Sequence, residues 1–198
     1  MENNISEWET AQQEEKNFWG TCANTYNEET KQLVYAKKMG IKQITVNGDP
    51  YHFDTEGLRI LDIGGGPSSM LLKAVGWKMA IVIDPCAYPI WVSMRYTEAG
   101  IFYGQETGEE IPYDFPQKLD EVWIYNVLQH TKDPEKIIEN AKRVGKVIRI
   151  FEWIDHEANE MHPHTLTEEN LNKWLGKEGQ VGYLNESGCV GKFYSGVV

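Results

Sequence analysis

Residues 58–70 read LRILDIGGGPSSM: an apolar run, an aspartate near its end, three glycines and a pair of serines. Leu58, Ile60, Leu61 and Ile63 make the run almost continuously apolar, as in a strand buried on both faces. Glycines at the end of such a strand turn the chain sharply and let another group approach bare backbone. The same strand pattern returns in MAIVID (79–84), LDEVWIYNV (119–127) and KVIRIFEWI (146–154). Helices are expected between these runs, over 68–75, 89–99 and 133–144, with Asp133-Pro134 opening the last. Strands alternating with helices predict an α/β architecture: a doubly wound, mostly parallel sheet with helices on both faces.

Upstream, Ser6 with Glu9 forms a capping box that opens a helix to about Trp19. A second helix starts at Asn27, Glu28 and Glu29 and ends at Gly40. KQITVNGDPYHF (42–53) then reads as a turn-rich connection around Asn47-Gly48. Downstream, Thr167 with Asn170 caps a helix ending at Gly176. QVGYL (180–184) and CVGKFYSGVV (189–198) flank the turn NESG and predict an antiparallel hairpin. The expected organisation is a helical extension or lid over 1–57 and a core over 58–198, in one compact domain.

The composition bounds the function. Hydrophobic residues are 41% and charged residues 25% of 198, which is globular. A net charge of −11 and the lack of any Lys/Arg cluster argue against a nucleic acid partner. No apolar stretch reaches the ~18–20 residues of a membrane span. Three scattered cysteines (Cys22, Cys86 and Cys189) and an acidic N-terminus predict a reduced, cytoplasmic protein. The sequence carries no signal for subunit number.

With DIGGGPSS at the end of a strand and before a helix, Gly64 and Gly66 give a tight turn and a place where a ligand touches backbone. The expected helix from Ser68 would point its amides and positive dipole end into the same crevice. Asp62 precedes the glycines, and Asp84 ends the next strand, where a carboxylate can accept hydrogen bonds from both ribose hydroxyls. The pair predicts an adenosine ligand. An NAD-type loop would carry a third glycine where Ser69 stands.

The D-x-G-x-G arrangement of Asp62, Gly64 and Gly66, followed by Asp84, resembles the first motif of class I S-adenosylmethionine (SAM)-dependent methyltransferases. Asn126, Leu128, Gln129 and His130 resemble the N-V-L-x-H segment of that family's small-molecule branch, methyltransferase types 11 and 12. The resemblance covers 58–198. It implies a Rossmann-like seven-stranded sheet with an antiparallel C-terminal strand, SAM as cofactor, S-adenosylhomocysteine as product, and a small-molecule acceptor with an O- or N-nucleophile. It also implies cofactor contacts from Asp62, Gly64, Gly65, Gly66, Asp84, Pro85, Glu109 at the adenine edge, and Asn126. In this family N-terminal helices often close over the site, which makes Trp19 and Tyr35 candidates for the cofactor and Tyr26 for the acceptor.

His130 and His162 are the candidate bases, because imidazole titrates near neutral pH. His162 and His164, on either side of Pro163, and Glu152, at the end of its strand, are candidates for lining the acceptor site. Glu152, Asp155 and His156 match no metal-ligand spacing, so no metal is expected. The Pro-Cys pair at 85–86 follows the second strand, the wrong place for the cytosine C5 methyltransferase nucleophile. Two alternatives stand beside the enzyme: a SAM-binding sensor without catalysis and an NAD(P)-linked oxidoreductase. The latter is weakened by Ser69 and by the lack of a Tyr-x-x-x-Lys pair.

Overall fold

The computed structural model describes residues 7–112 and 115–198. In chain order it contains α1 (Glu7–Trp19), α2 (Tyr26–Lys38), β1 (Gln43–Val46), β2 (Asp49–Asp54), β3 (Arg59–Ile63), β4 (Ala74–Val75), β5 (Met79–Ile83), α3 (Ile90–Glu98) and β6 (Phe102–Gly104). There follow β7 (Leu119–Tyr125), α4 (Pro134–Val144), β8 (Gly145–Trp153), α5 (Glu168–Leu175), β9 (Gln180–Glu186) and β10 (Cys189–Val197). Seven strands form one sheet in the order β6-β5-β3-β7-β8-β10-β9. All its pairings are parallel except those of β10, which runs antiparallel to β8 and β9.

Side chains alternate across the pleat, and both faces are apolar. Ile60, Ala80, Val82, Trp123 and Tyr125 point to one face, where Tyr35 and Met39 (the latter just past the end of α2) and Val92 and Tyr96 of α3 cover them. Leu61, Ile63, Ile81, Ile83, Val122 and Ile124 point to the other, under α4 and α5. This double burial is why the strands read as continuous apolar runs. Helix ends follow local chemistry: Asp133 accepts the Lys136 amide at 3.0 Å with Pro134 behind it, and Thr167 and Asn170 form a reciprocal capping box. The box expected at Ser6 involves a residue outside those described.

Two expectations are corrected. Residues 43–54 are a β-hairpin, not an irregular connection: Asn47 and Gly48 both take positive φ, which suits a two-residue hairpin turn. The helix expected over 68–75 is absent, leaving one 3-10 turn at Met70–Lys73. The amides that would start it are taken by side chains: Tyr96 Oη accepts from Ser69 N, Tyr125 Oη from Met70 N, and Ser69 Oγ from Leu71 N. The chain then leaves as β4, which pairs with β2 through Phe53↔Ala74 and Asp54↔Val75. The glycine loop therefore has no helix dipole behind it.

Candidate functional site

The three glycines differ in what they permit. Gly64 has φ +72°, and a Cβ there would lie 2.0 Å from Val127 Cγ2. A Cβ on Gly65 would lie 2.8 Å from Val82 Cγ1 and 2.9 Å from Asp62 Oδ2. Both serve close packing at the end of β3. Gly66, at φ +60°, meets nothing closer than Tyr88 Oη at 3.8 Å and Trp19 Cζ2 at 3.9 Å, so its bare backbone faces the N-terminal helix.

The acids fasten this loop. Asp84 Oδ2 accepts Gly66 N–H and Oδ1 accepts Cys86 N–H, both at 2.9 Å. Each oxygen keeps a second lone pair for a ligand. Asp62 is fully buried; its Oδ2 accepts the hydroxyls of Ser69 at 2.5 Å and Tyr125 at 2.6 Å, while Oδ1 has no partner among the described residues. Gln32 of α2 donates to Ser68 O at 2.5 Å and so ties the loop to the helical extension.

Two cavities meet at this end of the sheet. A crevice of about 60 Å³ runs along Gly64, Asp84, Pro85, Glu109 and Asn126, roofed by Trp8, Gln12 and Glu15 of α1. Glu109 Oε1 also accepts the amides of Lys132 and Asp133, at 2.9 and 3.1 Å. A larger cavity of about 490 Å³ is lined by Trp19, Tyr35, His130, His162 and Trp153, among others. Glu15, Asn126 and His130 belong to both.

Four residues lie elsewhere than expected. Glu152 does not face the acceptor cavity: it is fully buried and accepts the Val127 and Leu128 amides at 3.1–3.2 Å. His164 is a strut, with Nε2 2.8 Å from Thr131 O, and lines neither cavity. Tyr26 is 74% exposed on an outer groove that also touches Phe18 and Trp19. Tyr35 borders the larger cavity rather than the crevice.

The residues missed in the sequence are Trp8, Gln12 and Glu15. With Trp19 their spacing puts them on one face of a helix, and that periodicity was the available signal. Glu15 Oε1 accepts the Trp19 indole at 2.6 Å, and Oε2 lies 3.7 Å from His130 Nδ1. Lys132 sits 3.8 Å above the Trp8 ring, and the Cys86 thiol donates to Gln12 at 3.0 Å. These contacts hold α1 down on the crevice.

Burial sets the protonation of the site. It raises Asp62 and Asp84 to about 7 and Glu152 to about 8, the last despite two amide donors. It raises Glu15 as well, and lowers His130 and His162 to about 4. The two imidazoles lie 4.5 Å apart, and both are neutral near pH 7. His130 Nδ1 is 3.0 Å from the Met161 carbonyl, which can only accept, so the proton is on Nδ1 and Nε2 carries the lone pair.

A pH dependence of stability follows. Asp62, Asp84 and Glu152 hold protons in the fold that they release when unfolded, from their ordinary values up to about 7–8, so stability falls as pH rises through that window. His130 and His162 oppose this between about 4 and 6.5 and contribute no further change above it. The melting temperature of the ligand-free protein therefore drops between about pH 6.5 and 8.5, and Glu152→Gln lessens the drop. A flat or rising midpoint over that range contradicts the assignment.

The geometry agrees with known proteins. The family model described as "Methyltransferase domain" matches residues 61–147. The ubiquinone biosynthesis O-methyltransferase of Pseudomonas syringae is 29% identical over 111 residues, 54% of this chain and 47% of that protein. The chain thus spans under half the length of the curated relatives it matches. Among solved structures, a SAM-dependent methyltransferase of Thermotoga maritima, described as a possible histamine N-methyltransferase, superposes with a TM-score of 0.60. It has 13% identity and covers 97% of this chain and 98% of its own. The N-methyltransferase NodS of Bradyrhizobium japonicum, bound to S-adenosylhomocysteine, gives 0.61 at 13% identity, covering 95% and 96%. Residues 61–147 thus match a methyltransferase domain, and the chain shares its strand order and overall fold with SAM-dependent methyltransferases.

Proposed function

We propose that this protein transfers the methyl group of SAM to an oxygen or nitrogen nucleophile of a small molecule. The observation that carries this reading is the junction of the two cavities at Glu15, Asn126 and His130. A cofactor in the crevice and an acceptor in the larger cavity would meet there, as in-line displacement requires.

The residues present suit the cofactor. A Cβ on Gly66 would meet only ordinary contacts at 3.8 Å and beyond, Asp84 has free lone pairs, and Asp62 keeps a buried acceptor without a partner among the described residues. In this reading the Gly64–Gly66 backbone, with Gly65 and Asp62 behind it, carries the methionine part. Asp84 takes the ribose, and Pro85 and Glu109 border the adenine. SAM, when bound, supplies a methyl group on a sulfonium. In this reading α1 roofs the crevice and excludes water from it, with Trp19 beside the glycine loop. The neutral imidazoles of His130 and His162, pushed down to about 4, are weak bases; their lone pairs orient the nucleophile by accepting its hydrogen bond.

Two observations weigh against the alternatives. A dinucleotide rests its pyrophosphate on a helix N-terminus, and the loop here leads into a single 3-10 turn. A cofactor sensor needs no second chamber, whereas about 490 Å³ opens beside the crevice. Calorimetric titration with S-adenosylhomocysteine and with NAD, on the native protein and on Asp84→Asn, tests the reading. The homocysteine compound should bind, with Kd rising about tenfold or more in the variant. Binding of NAD instead, or of neither, rejects it.

A further inference from the structure

The walls of the larger cavity carry an uneven chemistry. Phe18, Trp19, Tyr35 and Trp153 supply aromatic rings, with Phe18 and Trp19 packed edge to face at 5.3 Å. Lys31 is the one lysine or arginine among the described lining residues, and it is ion-paired with Glu28. No lysine or arginine among the described lining residues is left free to neutralise a carboxylate or phosphate on a ligand. Glu15 is different. Its Oε1 accepts only the neutral Trp19 indole, and among the described residues the one basic side chain within 4 Å is His130. That imidazole is neutral and spends its Nδ1 proton on Met161 O. The site thus holds a largely buried carboxylate with no lysine or arginine paired to it among the described residues, beside aromatic rings, at the junction with the cofactor crevice. A buried anion of this kind is costly unless a cation comes to it, and aromatic faces favour the same cation.

We infer that the acceptor is an organic amine that enters as its ammonium ion, and that Glu15 holds it and takes its proton. This rests on the methyl-transfer reading above. One N–H proton passes to the Glu15 carboxylate, and the freed nitrogen lone pair bonds to the methyl carbon. The carbon–sulfur bond breaks with its electron pair staying on sulfur. The positive charge of SAM ends on the methylated nitrogen, S-adenosylhomocysteine leaves neutral, and the carboxylic acid returns its proton to solvent.

The test uses three probes that share a ring and chain length: 2-phenylethylamine, 2-phenylethanol and phenylacetate. Each is titrated into the protein saturated with S-adenosylhomocysteine. The amine should bind about tenfold or more tightly than the alcohol, and the carboxylate most weakly. Glu15→Gln, which keeps an acceptor for Trp19, should erase the preference. Labelled SAM should place the methyl on nitrogen. Alcohol or carboxylate binding as tightly as the amine, or no amine binding in protein that binds S-adenosylhomocysteine, overturns the inference. So does a Glu15→Gln protein that keeps the preference but loses affinity for SAM relative to S-adenosylhomocysteine, since the carboxylate would then serve the sulfonium. Should that variant not fold, the native series alone decides. Failure of the native protein to bind S-adenosylhomocysteine is a separate result, and it removes the methyl-transfer reading itself.

Discussion

Gly64→Ala should abolish binding of S-adenosylhomocysteine at accessible concentrations, raising Kd about a hundredfold or more. The added methyl would lie 2.0 Å from Val127 Cγ2 and 2.9 Å from its Cβ, on a residue with φ +72°. A β-carbon in that region of backbone space costs about 1–3 kcal/mol even without a clash. Rotating the Val127 side chain leaves its Cβ at 2.9 Å, and a backbone shift is resisted because the Val127 and Leu128 amides are pinned to Glu152. The strain is therefore shared between the glycine loop and the segment after β7, the two walls between which the cofactor would sit. Calorimetry beside a thermal melt separates the effects. Gly66→Ala is the control: its methyl meets only atoms at 3.8 Å and beyond, so it should perturb the melt less. Equal affinity in Gly64→Ala and native protein rules out the close approach as the loop's reason.

Glu152→Ala should lower the melting temperature by roughly 6–12 °C, corresponding to about 3 kcal/mol. Glu152 is fully buried, and its carboxylate accepts two backbone amides that have nowhere else to turn. Truncation strands both donors without solvent, a larger cost than the net value of the bonds. It also frees Asn126, held at φ +54° just before this pair, at the junction of the two cavities. Affinity for S-adenosylhomocysteine should therefore fall along with stability. Glu152→Gln retains a carbonyl oxygen and should recover more than half of the melting temperature. If Gln and Ala are equally destabilised, acceptance of the two amides is not what Glu152 contributes. That outcome refutes the positioning role.

Much of this arrangement was legible before any tertiary contact was known. The four apolar runs ending at 63, 84, 127 and 154 are strands because their residues are buried on both faces, and a continuous run records that locally. Caps at Asp133 and Thr167, and turns at Asn47-Gly48 and Ser187-Gly188, depend on a few neighbouring residues and were readable for the same reason. The glycine loop with Asp62 and Asp84 carries the cofactor assignment because backbone approach and a strand-end carboxylate are residue-type requirements.

What the tertiary structure alone decided depends on partners distant in sequence. Ser69 and Met70 give up a helix because hydroxyls of Tyr96 and Tyr125 reach their amides, and Ala74 and Val75 give it up to pair with β2. Glu152 was expected to line the acceptor site and is instead a clamp, since the segment after β7 folds over it. Glu15 carries no motif at all. Its importance comes from α1 lying across the crevice and bringing a carboxylate to His130 and Asn126. Local pattern determines which elements form and where a ligand can touch backbone. Packing between remote segments determines which charged groups lose water, and so what chemistry the cavity between them can hold.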